Sequence, residues 1–183
     1  MFIQTEVTPN PATLKFLPGQ TLIDGGSAEF RSADEATQSP LAQRLFTQQG
    51  VSGVFIGHDF ISITKADDTD WSMLKPMVMA VIMEHLSTGQ PIIIGEMAQE
   101  TFEDDDEISA QIRELIVTRV RPMVMQDGGD IEFDHFDDGI VYLRMRGACA
   151  GCPSSTATLK MGIENMLKHF VPEVQDVRPI ADY

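Results

Sequence analysis

The sequence predicts an α+β protein, with two small α/β-sandwich-like domains joined by an acidic linker and the second domain a three-stranded sheet with two helices. Three observations carry this expectation. The chain has 183 residues, a length that suits two domains of roughly 80 to 100 residues each. Short runs of period-2 alternation are interleaved with longer stretches whose apolar residues recur at helical spacing. Between two such series, seven acids and no base crowd into residues 96–107. The expected boundaries are residues 1–94 for the first domain, 95–106 for the linker and 107–183 for the second domain. With 43% hydrophobic residues and 22% charged, each half can bury a core, and disorder of the whole chain is excluded.

The first domain opens with strand-like alternation over Phe2–Val7 and a second run over Thr13–Leu17. The turn signal Pro18-Gly19 closes the pair, which suggests a hairpin. A helix follows: Ser39 can cap it, Pro40 suits its first turn, Leu41, Leu45 and Phe46 share one face, and Gly50 suits its end. Two strands, Val51–Ile56 and Phe60–Thr64, flank Gly57-His58-Asp59. Asp70 can then cap a helix in which Trp71, Leu74, Val78, Val81, Ile82 and His85 fall at helical spacing, stopped by Gly89. The expected unit is β-β-α-β-β-α.

Periodicity fails from Gly95 to Asp106. Mutual repulsion within Glu103-Asp104-Asp105-Asp106 should keep this stretch solvated and extended. Acids at a helix start also favour its dipole, and a basic docking partner is the alternative reading.

The second domain should begin with a helix from about Glu107 to Gln126. Ile108, Ile112, Leu115, Ile116 and Met123 lie on one face, and Pro122 should kink the last turn. The glycines of Asp127-Gly128-Gly129-Asp130 allow positive φ and a sharp exit into a strand, Asp130–Phe136. Asp138-Gly139 reads as a hairpin turn. The return strand Ile140–Arg146 sets Val141, Leu143 and Met145 on one face and Ile140, Tyr142, Arg144 and Arg146 on the other. After a loop holding both cysteines, Pro153 opens a helix striped by Leu159, Ile163, Met166, Leu167 and Phe170, and a last strand, Val174–Pro179, completes the sheet.

Charge and hydropathy exclude some classes of function. A net charge of −15 argues against nucleic acid, because phosphate binding needs a clustered basic surface. No apolar run approaches the ~20 residues of a membrane span. The first 30 residues hold one Lys, no Arg and three acids, unlike a transit peptide. The expected compartment is therefore the cytoplasm of a bacterium, or the mitochondrial matrix if a presequence has been removed. No nucleophile–base motif and no phosphate-binding glycine loop stands out, so an enzyme is not expected.

The chemistry concentrates in Cys149-Ala150-Gly151-Cys152. Two thiols separated by two residues can reach one soft metal centre. Cys152 falls at a helix start, where the dipole favours its thiolate. A structural disulfide is the weakest reading in a chain with no sign of export. A thiol–disulfide oxidoreductase would place its Cys-x-x-Cys after an early strand of a β-α-β frame, whereas here it follows a hairpin near the end of the chain. A zinc-binding module or an iron–sulfur site usually takes four ligands, and the chain has two cysteines. Either histidines complete the set or two chains each donate a pair across a two-fold axis. His135 and His169 lie far from the motif in sequence, which makes the two-chain site the simpler hypothesis.

The blocks Asp127-Gly128-Gly129-Asp130-Ile131 and Gly147-Ala148-Cys149-Ala150-Gly151-Cys152-Pro153-Ser154-Ser155 resemble the NifU C-terminal domain. Thr8-Pro9-Asn10-Pro11, Leu14-Lys15-Phe16, Gly53-Val54-Phe55-Ile56 and Trp71 are similar to the N-terminal domain of Nfu-type proteins. The resemblance does not extend to the scaffold and ferredoxin-like domains of full-length NifU, so the expected kinship is Nfu-like. The resemblance implies an iron–sulfur cluster carrier in which Cys149 and Cys152 of each of two subunits ligate one [4Fe-4S] cluster. The homodimer would receive it from an upstream scaffold and deliver it to apo-proteins. Arg144 and Arg146 are candidates to offset the charge of such a cluster, or simply to solvate their strand face. Met73, Met77, Met79 and Met83 are expected to pack in the core, His58 to sit in a turn, and His85 to lie on a helix face.

Overall fold

A computed structural model describes residues 2–95, 106–150 and 153–180, the last span without the side chains of 153–156. The chain divides into two compact units, Met1–Gln99 and Glu100–Tyr183. The acidic segment expected as linker, 95–106, lies almost entirely outside the described residues. No helix among the described residues is long and apolar enough to cross a membrane.

In the first unit, strands β1 (Gln4–Val7), β2 (Thr13–Leu17), β3 (Ala28–Phe30), β4 (Val51–Ile56) and β5 (Ile61–Lys65) form one antiparallel sheet in the order β1-β2-β5-β4-β3. Helices α1 (Pro40–Phe46) and α2 (Trp71–Thr88) cover one face. Alternation explains the core: Leu14 and Phe16 of β2, Val54 and Ile56 of β4, and Ile61 and Ile63 of β5 meet Leu41, Leu45, Leu74, Val78 and Ile82 of the helices. Each such side chain contributes about 1.5–3 kcal/mol by leaving water. The Ser39 hydroxyl caps α1 by accepting the Ala42 N–H at 3.1 Å, and itself donates to the Ile92 carbonyl at 2.7 Å. Asp70 caps α2 through the Ser72 N–H, and Gly89 ends it at φ 68°.

Two expectations for this unit need correction. The topology has an additional strand, β3, and a 3-10 turn, Glu35–Gln38; a three-residue strand is too short to show alternation. The methionines expected in the core divide: Met79 packs against it, while Met73 is 70% exposed and Met77 and Met83 also face solvent. The aliphatic Leu74, Val78 and Ile82 fill the inward arc of α2, so Met73, Met77 and Met83 fall on the outward one. His85 lies on a helix face as expected, the buried one it shares with Leu74, Val78 and Ile82.

In the second unit, a helical run comprises α3 (Glu107–Leu115), one π-helical turn over Ile116–Val120, and α4 (Arg121–Gln126). Asp106 caps it through the Ser109 N–H at 2.9 Å. The perturbation expected at Pro122 appears in the turn before it, because a proline ring crowds the carbonyl four residues upstream and removes its N–H partner. The π turn inserts one residue into the stripe. The buried series is therefore Ile112, Ile116, Val120 and Val124, and Met123, expected inside, is 61% exposed.

The run leads into β6 (Gly129–Asp137), which pairs antiparallel with β7 (Ile140–Gly147). Asp138 and Gly139 turn the hairpin with positive φ at both positions, as a two-residue loop matching strand twist requires. Helix α5 (Pro153–Phe170) then carries the chain over to β8 (Asp176–Ile180), parallel to β7. Ile163 and Leu167 of α5 join Ile131, Phe133, Val141 and Leu143 in the core. Phe170, expected in this stripe, is 39% exposed, with the Arg119 guanidinium 4.8 Å from its ring centroid.

Candidate metal centre

The cysteine loop leaves the C-terminal end of β7 and leads into the crossover helix α5. Two glycine-bearing segments meet there, because Gly129 at the start of β6 stands opposite Gly147 at the end of β7. The Ala148 N–H donates to the Gly128 carbonyl at 3.3 Å, and the Ala150 N–H to the Gly147 carbonyl at 3.1 Å. The blocks 127–130 and 147–150, distant in sequence, thus form one bonded corner.

The two consecutive glycines have different jobs. Gly128 sits at φ 83°, a left-handed conformation that strains other residues. Gly129 is needed for space: a Cβ there would stand 2.9 Å from the Cys149 Sγ, 3.1 Å from the Cys149 N and 2.7 Å from the Arg146 carbonyl oxygen. The expectation that both glycines serve the backbone turn is corrected at Gly129. Cys149 is 5% exposed, and its sulfur rests against the bare Cα of that glycine. Cys152, the second cysteine of the motif, lies outside the described residues.

Sequence reasoning missed the clamp behind this corner. Asp130 is 1% exposed, and its carboxylate accepts from Arg121 Nε at 2.8 Å and Nη2 at 2.9 Å. It also accepts from the Ile131 N–H at 2.8 Å. The bidentate pair ties the first residue of α4 to the second of β6, across the turn that presents Gly128 and Gly129. The available signal was an acid opening a strand, nine residues after an Arg that precedes a proline within a helix.

The other proposed participants are engaged elsewhere. Arg146 pairs with Glu132 at 2.8 Å and Arg144 with Asp134 at 2.7 Å, both across strands. Their charges are locally compensated, which favours the reading that they solvate the sheet face. The His135 ring stacks on Tyr142 with centroids 4.3 Å apart and bonds Asp134, and His169 packs edge-on against Phe170. Among the described residues, no three His, Cys, Asp or Glu side chains group closely enough to hold a metal ion. In the first unit, His58 Nδ1 lies 2.8 Å from the Ile23 carbonyl, a turn role.

The donor set fits a soft metal. Cys149 supplies a sulfur seated against Gly129 on a bonded corner, and thiolates are the usual ligands of iron–sulfur clusters. One described thiol is too few for any closed site, so Cys152 and further donors would be required.

Comparisons with known proteins agree in order and extent with the two units. Residues 3–89 match the family described as the scaffold protein Nfu/NifU N terminal, and residues 112–178 match the NifU-like domain. NifU-like protein 5, mitochondrial, of Arabidopsis thaliana is 52% identical over 189 residues, spanning 100% of this chain and 69% of the relative. The human NFU1 iron-sulfur cluster scaffold homolog, mitochondrial, is 46% identical over 185 residues, spanning 100% of this chain and 73% of the relative. The solution structure of a NifU-like protein from Saccharomyces cerevisiae is 32% identical, covering 52% of this chain and 87% of that one, with a TM-score of 0.48. With both domains matched in sequence order and such identity across its full length, the chain belongs to the Nfu-type NifU-like family.

Proposed function

We propose that this protein is an iron–sulfur cluster carrier that binds a [4Fe-4S] cluster between two copies of itself and delivers it to apo-proteins. Cys149 and Cys152 of each copy supply the four thiolates. The observation that carries this reading is the packing of the Cys149 sulfur against Gly129, on a corner built from the two glycine-bearing blocks. Relatives named iron-sulfur cluster scaffold support the same reading. The cluster is cargo: the chain holds it by thiolate ligation at a subunit junction, where four ligands shared by two loops release it more readily than a closed single-chain site. Cluster binding and dimerisation are then linked by mass action. The protein acts as a stoichiometric carrier, not an enzyme, between an upstream scaffold and recipient apo-enzymes. Of the two compartments considered, the relatives named mitochondrial favour that alternative.

Anaerobic reconstitution with iron and sulfide tests the proposal. A brown protein with about four irons per pair of chains, eluting as a dimer that reverts to monomer when the cluster is chelated, is the expected result. A colourless product holding zinc would replace the reading with a zinc-binding module. A Cys pair that cycles between dithiol and disulfide, with an oligomeric state indifferent to iron, would replace it with a thiol–disulfide oxidoreductase.

A further inference from the structure

The first unit holds an open sheet edge of a kind that folded proteins usually blunt. Its two edge strands differ. β3 is three residues long and carries the Arg31–Glu29 ion pair at 3.5 Å. β1 carries neither Pro nor Lys and pairs only with β2. Among the described residues nothing bonds to its outer side; Phe2, 78% exposed, precedes it and Val7, 88% exposed, ends it. In an antiparallel edge strand, alternate residues aim both N–H and C=O outward.

A groove of about 510 Å³ runs along this strand, with residues 2–6 as one wall and Lys75 and Met79 of α2 as the other. Lys75 makes no ion pair or hydrogen bond among the described residues, in a chain with 28 acids and 13 Lys and Arg. An edge strand facing a helix across a groove can accept an extended peptide, main-chain bonds giving affinity and alternate side chains giving specificity. Lys75 and Met79 are one helical turn apart, about 6 Å along the axis. Side chains i and i+2 on one face of an extended strand are about 6.6 Å apart. A strand aligned with α2 can therefore address both residues at once.

We propose that the β1 edge and α2 form a docking groove for an extended segment of a partner protein, which adds as a sixth strand beside β1. Its acidic side chain meets Lys75, and an apolar one two residues away meets Met79. A second copy of this chain fits less well, because the sole acid of its β1, Glu6, lies 3.6 Å from Lys15 and is already paired. The proposal concerns the first unit alone and does not depend on the cluster reading.

The test uses the full-length, metal-free chain, isotope-labelled for amide NMR, and an acetylated peptide of about ten residues, the length of a long strand. The peptide alternates Val and Thr around one central Glu, and a counterpart carries Lys in its place. The Glu peptide should shift the amides of Gln4–Val7, Lys75 and Met79 and slow hydrogen exchange at alternate β1 positions. The Lys peptide should bind at least about fivefold more weakly, as expected for opposite and like charges at a partly exposed contact. Lys75→Glu should reverse that preference. Shifts confined to other residues, no shifts at all, or an unchanged preference in Lys75→Glu would overturn the proposal. Concentration-dependent protection of β1 without peptide would also overturn it, in favour of self-pairing.

Discussion

A Cβ on Gly129 would come within 2.9 Å of the Cys149 Sγ, closer than a carbon and a sulfur can approach. The sulfur and the Arg146 carbonyl would have to move, and both belong to the cysteine corner. Gly129→Ala should therefore leave the far-UV circular dichroism spectrum unchanged while iron retained after reconstitution falls several-fold. Iron retention equal to that of the unaltered chain would show that the corner does not set the ligand position. Gly128→Ala should act differently, costing about 1–2 kcal/mol of stability through its left-handed backbone.

Breaking the clamp behind that corner should be costly. Arg121→Ala leaves the Asp130 carboxylate buried without its bidentate partner, and removing one member of a buried pair costs about 3–5 kcal/mol. Urea unfolding followed by hydrogen exchange at the β6 amides measures this in the second unit. Asp130→Ala combined with Arg121→Ala should cost less than the two single changes added together.

The cap of α1 offers a test in the first unit. Ser39→Ala removes the bond to the Ala42 N–H and leaves the Ile92 carbonyl without its hydroxyl donor. A loss of about 1–2 kcal/mol is expected. The single tryptophan, Trp71, lies in this unit, so its fluorescence follows the unfolding of this unit selectively.

His85 should make the same unit sensitive to mild acid. Burial holds its imidazole below the usual 6.5, opposed by the carbonyl of Pro91, which lies 3.3 Å from Nε2, and assisted by the charge of Arg44. Nδ1 is buried with no partner among the described residues, so a second proton would have no acceptor. The unfolded chain takes up that proton near pH 6.5, while the folded one resists it to lower pH. Stability is thus complete above 6.5 and declines below it, by up to about 1.4 kcal/mol per pH unit. His85→Leu should flatten this slope in Trp71-monitored unfolding. The capping carboxylates Asp70 and Asp106, held below 3.8 by their bonds to Ser72 and Ser109, contribute only in stronger acid.

Elements with strong local signals were legible in the sequence. β2 and β4 span the expected residues, and α2 runs from its Asp70 cap to Gly89, because capping chemistry and side-chain period are properties of adjacent residues. Where the outcome depends on residues far apart, local reading failed. The phase of the Glu107–Gln126 run depends on how a π turn absorbs Pro122, and so Val124 replaces Met123 in the core. The outward methionines of α2 could not be distinguished from core residues, since the helix is apolar nearly all round and only the packed sheet decides which arc is covered.

The sequence by itself determined the two-domain α+β composition, the cysteine pair and the resemblance carried by the blocks at 127–131 and 147–155. All of these reside in residue type and spacing along the chain. Only the tertiary structure decided that Gly129 is required for space rather than for backbone freedom, that Arg121 clamps Asp130 beside it, and that β1 is an open edge facing Lys75 across a groove. Each of these is a distance between segments that touch only once the hairpin closes and the helices dock, and pattern along the chain does not encode that distance.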